Sequence, residues 1–138
     1  MFDKKVFGER LSSLRNSRSL SQQAIADILG VGKSAISMME SGNRAASADV
    51  LIALADYFDV PLDYMTGRGI FAEWDKVLEN WDIIIDVMRK VPEPFGSILK
   101  KCIDTIPDRI ALGEIFSALI KEIRFGPEPN TINFFWKF

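Results

Sequence analysis

The sequence has no histidine among its 138 residues and a single cysteine, Cys102. One thiol excludes an internal disulfide, and with no imidazole there is no ligand set for a zinc-type metal centre. Ser/His and Cys/His nucleophile pairs are impossible, so carboxylates and lysines would have to carry any proton transfer. A phosphate-binding glycine loop is also missing. No stretch approaches the roughly 18 consecutive apolar residues that span a bilayer, and the N-terminus lacks the basic-then-apolar layout of a leader. The expectation is a protein of the reducing cytoplasm that is not an enzyme, uses no cofactor and makes no membrane contact.

What is present is the composition of an ordinary folded chain, 48% hydrophobic and 26% charged. The net charge of −2 is unevenly distributed. Up to Ser47, Lys4, Lys5, Arg10, Arg15, Arg18, Lys33 and Arg44 face only Asp3, Glu9, Asp27 and Glu40, a surplus of +3. From Ala48 to Arg68 the balance reverses to −3, and the rest of the chain carries −2. Positive charge therefore collects in the N-terminal third, as contact with a phosphate backbone requires.

Apolar spacing divides that N-terminal region into five short helices. Phe7, Leu11 and Leu14 form the stripe of the first, which ends near Ser17. Ser21 caps a second over Gln22 to Leu29, and Gly30-Val-Gly32 makes a short turn. Lys33 to Ser41 follows as a third helix, with Ile36 and Met39 buried and Gly42-Asn43 as its stop. Ala48 to Phe58 is a fourth, with Leu51, Leu54, Ala55 and Phe58 inward. Pro61 opens a fifth that holds Leu62, Tyr64 and Met65, and Thr66 to Gly69 reads as a linker.

Two helices joined by a glycine turn, the second with Lys33, Ser34, Ser37 and Met38 on its outward face, suit entry into a DNA major groove. The small Ala24 allows close crossing, and Ile25, Leu29, Val31 and Ile36 fill the wedge between the helices. The run Leu20-Ser-Gln-Gln-Ala-Ile-Ala-Asp-Ile-Leu-Gly-Val-Gly-Lys-Ser-Ala-Ile-Ser-Met-Met-Glu-Ser-Gly-Asn-Arg resembles the lambda-repressor-like, or XRE/Cro-C1, helix-turn-helix regulators. The likeness extends from about Val6 to Met65, not quite half the chain.

The resemblance implies a five-helix domain that binds double-stranded operator DNA. It implies base contacts from Lys33, Ser34, Ser37 and Met38, and phosphate contacts from Arg15, Gln22, Asn43 and Arg44. Lys33 suits the O6 and N7 acceptors of guanine, whereas Met38 offers only apolar contact, for instance to a thymine methyl. Glu40 reads as structural, paired with a basic residue inside the domain, because a carboxylate facing phosphates would repel them. The sequence departs from the family pattern at Gly32, where Ser or Thr is common, at Ala46, near a usual Pro, and at Met38, where a polar residue is usual.

The remainder, residues 70–138, reads as a three-helix region with an apolar extended tail, giving an all-α fold with a DNA-binding domain over residues 1–67. Phe71, Trp74, Leu78, Trp81, Ile85 and Met88 make one helical seam running to Val91. Ser97 to Ile106 and Asp108 to Arg124 read as two further helices, closed by Gly126-Pro127-Glu128-Pro129. Cys102 reads as an inert, packed thiol. The tail, Asn130 to Phe138, is too apolar to hang in water.

Trp74, Trp81, Ile85, Phe134, Phe135 and Trp136 are therefore expected at a homodimer interface, with the tail able to cross between subunits. The function read from the whole is a sequence-specific dimeric repressor of phage or mobile-element type on a pseudo-palindromic operator. A rival reading is an antitoxin-like or anti-repressor-binding interaction module with secondary DNA binding. A small apolar ligand is a further candidate partner for the aromatic second half.

Overall fold

The structure, a computed structural model, describes residues 2–128 and 131–137. Pro129 of the expected stop, and Asn130 and Phe138 at the ends of the expected tail, lie outside the described residues. The chain divides into two units, Met1–Gly67 and Arg68–Phe138.

The first unit consists of α1 (Lys4–Ser17), α2 (Gln22–Leu29), α3 (Lys33–Glu40), α4 (Ala48–Phe58) and α5 (Leu62–Thr66). Three of the five starts, those of α1, α2 and α4, have a side-chain cap. The Asp3 carboxylate accepts from the backbone N–H of Lys5 and Val6, and the hydroxyls of Ser21 and Ser47 accept from Ala24 and Val50. Such caps contribute about 1 kcal/mol each. The stops use left-handed residues: Gly30 at φ 69° ends α2, Asp59 at φ 53° ends α4 and Gly67 at φ 68° ends α5. Phe7, Leu11, Ile25, Ala26, Ile36, Leu54 and Met65 are fully buried and form the core. Leu51 is half-buried and Leu62 exposed, so these two lie nearer the surface than their spacing suggests.

The second unit opens with a 3₁₀ turn at Gly69–Phe71, followed by α6 (Trp74–Glu79), α7 (Trp81–Arg89), α8 (Phe95–Thr105) and α9 (Arg109–Phe116). Two strands, β1 (Ile120–Phe125) and β2 (Ile132–Trp136), pair antiparallel into a hairpin. The all-α expectation is thus corrected. The fold is mostly helical with a small two-stranded sheet, and the expected helix from Asp108 to Arg124 stops at Phe116.

The cause of that difference is a register shift in the ladder between Ile120 and Glu122. A bulge adds a residue on one strand and turns it, so Ile120 and Ile123 both face inward although they stand three apart. That spacing imitates a helix. The aromatic tail then has a backbone partner: Phe125 pairs with Ile132, Ile123 with Phe134 and Ile120 with Trp136.

The long seam from Phe71 to Val91 is likewise not one helix. Phe71 sits in the 3₁₀ turn, and Asn80, at φ −107° and ψ 22°, separates α6 from α7. Its side-chain amide donates to the Lys76 carbonyl at 2.8 Å, closing one helix, while its own carbonyl accepts from Ile84 N–H and opens the next. The bend folds the aromatic residues together. Ring centroids lie 4.8 Å apart for Phe71 and Trp74, 6.1 Å for Trp74 and Trp81, and 6.1 Å for Trp81 and Phe116. Both indoles are buried inside their own unit. Ile85 and Cys102 are half-buried.

Candidate DNA-reading surface

On α3 the hydrophobic and polar residues separate by face. Ala35, Ile36 and Met39 are buried, while Lys33, Ser34, Ser37 and Met38 are exposed. Positions i, i+1, i+4 and i+5 share one stripe of a helix, so the expected reading residues stand together. Met38 is 45% exposed, so its thioether side chain is available for contact from outside the unit.

The helix start has no side-chain cap, because Gly32 occupies that position. Its end is tied down instead by one carbonyl. The Met38 oxygen accepts from the N–H of Asn43 at 2.9 Å, from Arg44 N–H at 3.2 Å and from the Ser41 hydroxyl at 3.0 Å. Asn43 and Arg44 are thereby held, exposed, just past the helix.

Behind the surface lies a charged junction. Arg15 from α1 donates through Nε and Nη2 to the two oxygens of Glu40, at 2.5 and 3.1 Å, and through Nη1 to the Leu20 carbonyl at 2.7 Å. Gln22 donates from its amide to the same carboxylate at 2.7 Å. The Arg15 and Glu40 side chains are only 13% and 9% exposed. The hydrogen bonds to Glu40 raise the Arg15 pKa above its ordinary value, the Glu40 charge adding to this while burial opposes it. Glu40 thus pairs internally with a basic residue, and Gln22 at the start of α2 is fixed in orientation by α3.

Two other N-terminal cations are also engaged within the unit. Arg10 donates to the Tyr64 carbonyl and lies 4.8 Å from that ring's centroid. Arg18 donates to the carbonyls of Tyr57 and Phe58 at the end of α4. Lys4, Lys5, Lys33 and Arg44 are exposed and make no side-chain hydrogen bond or ion pair among the described residues.

Lys5 is a residue that sequence reasoning missed as a site candidate. A Cβ on Gly42 would lie 3.3 Å from the Lys5 Cα, so the start of α1 abuts the loop carrying Asn43 and Arg44. The only signal in the sequence was the Lys4-Lys5 pair itself.

A helix-turn-helix family model, HTH_3, matches residues 11–65. The chain is 37% identical over 110 residues to the uncharacterized HTH-type transcriptional regulator YqaE of Bacillus subtilis, covering 76% of this chain and 93% of that one. The chain belongs to the XRE/Cro-C1-type helix-turn-helix transcriptional regulators. This regulator is also 43% identical over 60 residues to the HTH-type transcriptional regulator AnsR of Bacillus subtilis. That match covers 44% of this chain and about half, 52%, of AnsR. Among solved structures, the restriction-modification controller protein C.AhdI of Aeromonas hydrophila is 32% identical, with a TM-score of 0.42, covering 46% of this chain and 96% of that one. The family is one of DNA-binding regulators, not of enzymes. Among the described residues no helix is long and apolar enough to cross a membrane.

Proposed function

We propose that this regulator is a cytoplasmic, dimeric repressor that binds a pseudo-palindromic operator, with α3 of each copy in the major groove. The observation that carries the reading is the outward stripe of Lys33, Ser34, Ser37 and Met38, backed by the Arg15–Glu40–Gln22 junction that fixes α2 against α3.

Lys33 and Ser34, at the helix start, meet base edges first. Lys33 supplies charged donors for guanine O6 and N7, and Ser37 and Met38 line the groove beyond it. Gln22, Asn43, Arg44 and Lys5 hold the phosphates on either side, the backbone N–H groups of the first turn of α2 assisting. Arg15 acts as a positioning residue: its donors engage Glu40 and Leu20, and Glu40 in turn orients Gln22.

One such unit offers few contacts, so two copies on half-sites about one helical turn apart give the affinity a regulator needs. Trp74 and Trp81 fill the core of their own unit. The dimer contact is therefore assigned to the tail residues Phe134, Phe135 and Trp136, of which the last two are exposed. Bound there, the pair blocks the groove to other proteins, which is repression.

Chemical footprinting on a selected site tests the reading. Two protected major-groove patches separated by about 10 base pairs are expected. A single patch, or protection confined to the minor groove, contradicts it.

A further inference from the structure

A two-stranded hairpin is marginally stable in water by itself. The outer edge of β2 pairs with no other strand among the described residues. Two bonds fix which groups point to that edge. Gly126 N–H donates to the Thr131 carbonyl at 2.7 Å, and Lys137 N–H donates to the Leu119 carbonyl at 2.9 Å. The backbone groups of odd-numbered residues in this stretch therefore face β1. Ladder bonds alternate along an antiparallel strand, so the N–H and C=O of Ile132 and Phe134 are directed to the outer edge.

Edge strands of soluble proteins are normally blunted with lysine, proline or a sharp twist. The β2 sequence, Ile-Asn-Phe-Phe-Trp, carries no charge and no proline. Phe135 is 39% and Trp136 38% exposed. Trp136 also lines a mostly apolar hollow of about 450 Å³ with Val87, Lys90, Val91 and Pro92, at and just beyond the end of α7.

We propose that the outer edge of β2 pairs antiparallel with the same strand of a second copy of this chain, centred on Phe134, to make one four-stranded sheet across the two-fold axis. This rests on the dimeric reading above and supplies its interface. A two-fold contact sets one surface against itself, so any charge on the strand would meet its equal or a near neighbour. An uncharged strand escapes that constraint in every register, whereas β1, with Lys121, Glu122 and Arg124, avoids like-charge contact only where Glu122 meets the partner subunit's Arg124. Centring on Phe134 sets Asn133 opposite Phe135 of the partner subunit, as a non-hydrogen-bonded pair with Cα atoms about 4.5 Å apart. That spacing admits a disulfide.

The test uses the full chain with Cys102→Ser and two single variants, Asn133→Cys and Phe135→Cys. Under mild oxidation neither variant alone is expected to cross-link, whereas the two co-expressed give a covalent dimer on a non-reducing gel. The parent chain is expected to sediment as a dimer. A monomeric parent overturns both this inference and the dimeric reading. A dimeric parent whose mixed cysteine pair stays open, or whose Asn133→Cys variant links to itself, overturns the strand pairing alone.

A charge pair decides the matter if a cysteine variant fails to give the parent's circular dichroism. N133K/F135K sets like charges across the axis and is expected to weaken dimerisation about tenfold, whereas N133E/F135K sets opposite charges and keeps it. Equal dimerisation by both variants overturns the pairing.

Discussion

Gly8 and Met39 bring the backbones of α1 and α3 into contact: a Cβ built on Gly8 would lie 2.4 Å from the Met39 carbonyl oxygen and 2.6 Å from that of Glu40. No side chain fits there. Helix α3 is thus seated directly on the backbone of α1.

Gly8→Ala is therefore expected to destabilise the first unit by about 1–3 kcal/mol despite alanine's better helix propensity. Urea denaturation followed at 222 nm measures it, and a variant as stable as the parent contradicts the packing described. Gly113→Ala should act alike in the second unit, since its Cβ would meet Trp74 at 2.9 Å and Phe71 at 3.0 Å.

Arg15→Leu leaves the Glu40 carboxylate buried without its partner and is expected to cost about 3 kcal/mol. R15L/E40L removes both charges and should recover most of that stability. It also frees Gln22 from its anchor, so operator affinity should stay below that of the parent. Denaturation curves and binding isotherms on the same three proteins separate the two effects. Full recovery of both would show that the junction does not position Gln22.

Lys33→Ala and Gln22→Ala should differ in kind. The first is expected to lose about 1–3 kcal/mol and to relax preference at one base pair of each half-site. The second should weaken binding by about 1 kcal/mol on every sequence alike. Competition against a panel of single-base operator variants reads the difference.

Lys5→Ala should flatten the dependence of log K on log salt by about 1 for each subunit, since each phosphate neutralised releases about 0.9 counterion. An unchanged slope would remove Lys5 from the phosphate-contacting set.

In the hairpin, hydrogen bonds from Arg124 hold the Glu122 carboxyl below the ordinary glutamate value, burial opposing and the Arg124 and Lys121 charges adding. A depressed folded-state pKa stabilises the fold above the unfolded value, and that contribution is lost as pH falls through the folded one. The pair is solvent-exposed, so the effect on stability is small. Carboxyl NMR should show Glu122 titrating low, with Arg124→Ala moving its midpoint upward. No movement would dissociate the two residues in solution.

The N-terminal helices were legible because their punctuation is local: Ser21, Gly30 and Pro61 act within a turn of themselves, and the Phe7/Leu11 and Ile36/Met39 pairs mark single faces. Glu40 was legible as an internal partner because a carboxylate facing phosphates would repel them. That the cation is Arg15 depends on α1 crossing α3, a tertiary fact. Gly8 gave a signal that went unused, a glycine inside an apolar-striped helix, which asks for a packing reason. The second unit was harder. A bulge made β1 look helical, and the stop at Asn80 arises from one side-chain bond with no proline or glycine to announce it.

The central claim is that α3 distinguishes one DNA sequence from another. Binding of the full chain to its best site selected from random DNA, against an unrelated duplex of equal length at one fixed salt concentration, tests it most directly. A preference of about 1,000-fold or more is the predicted result. Equal affinity for the two duplexes would contradict it.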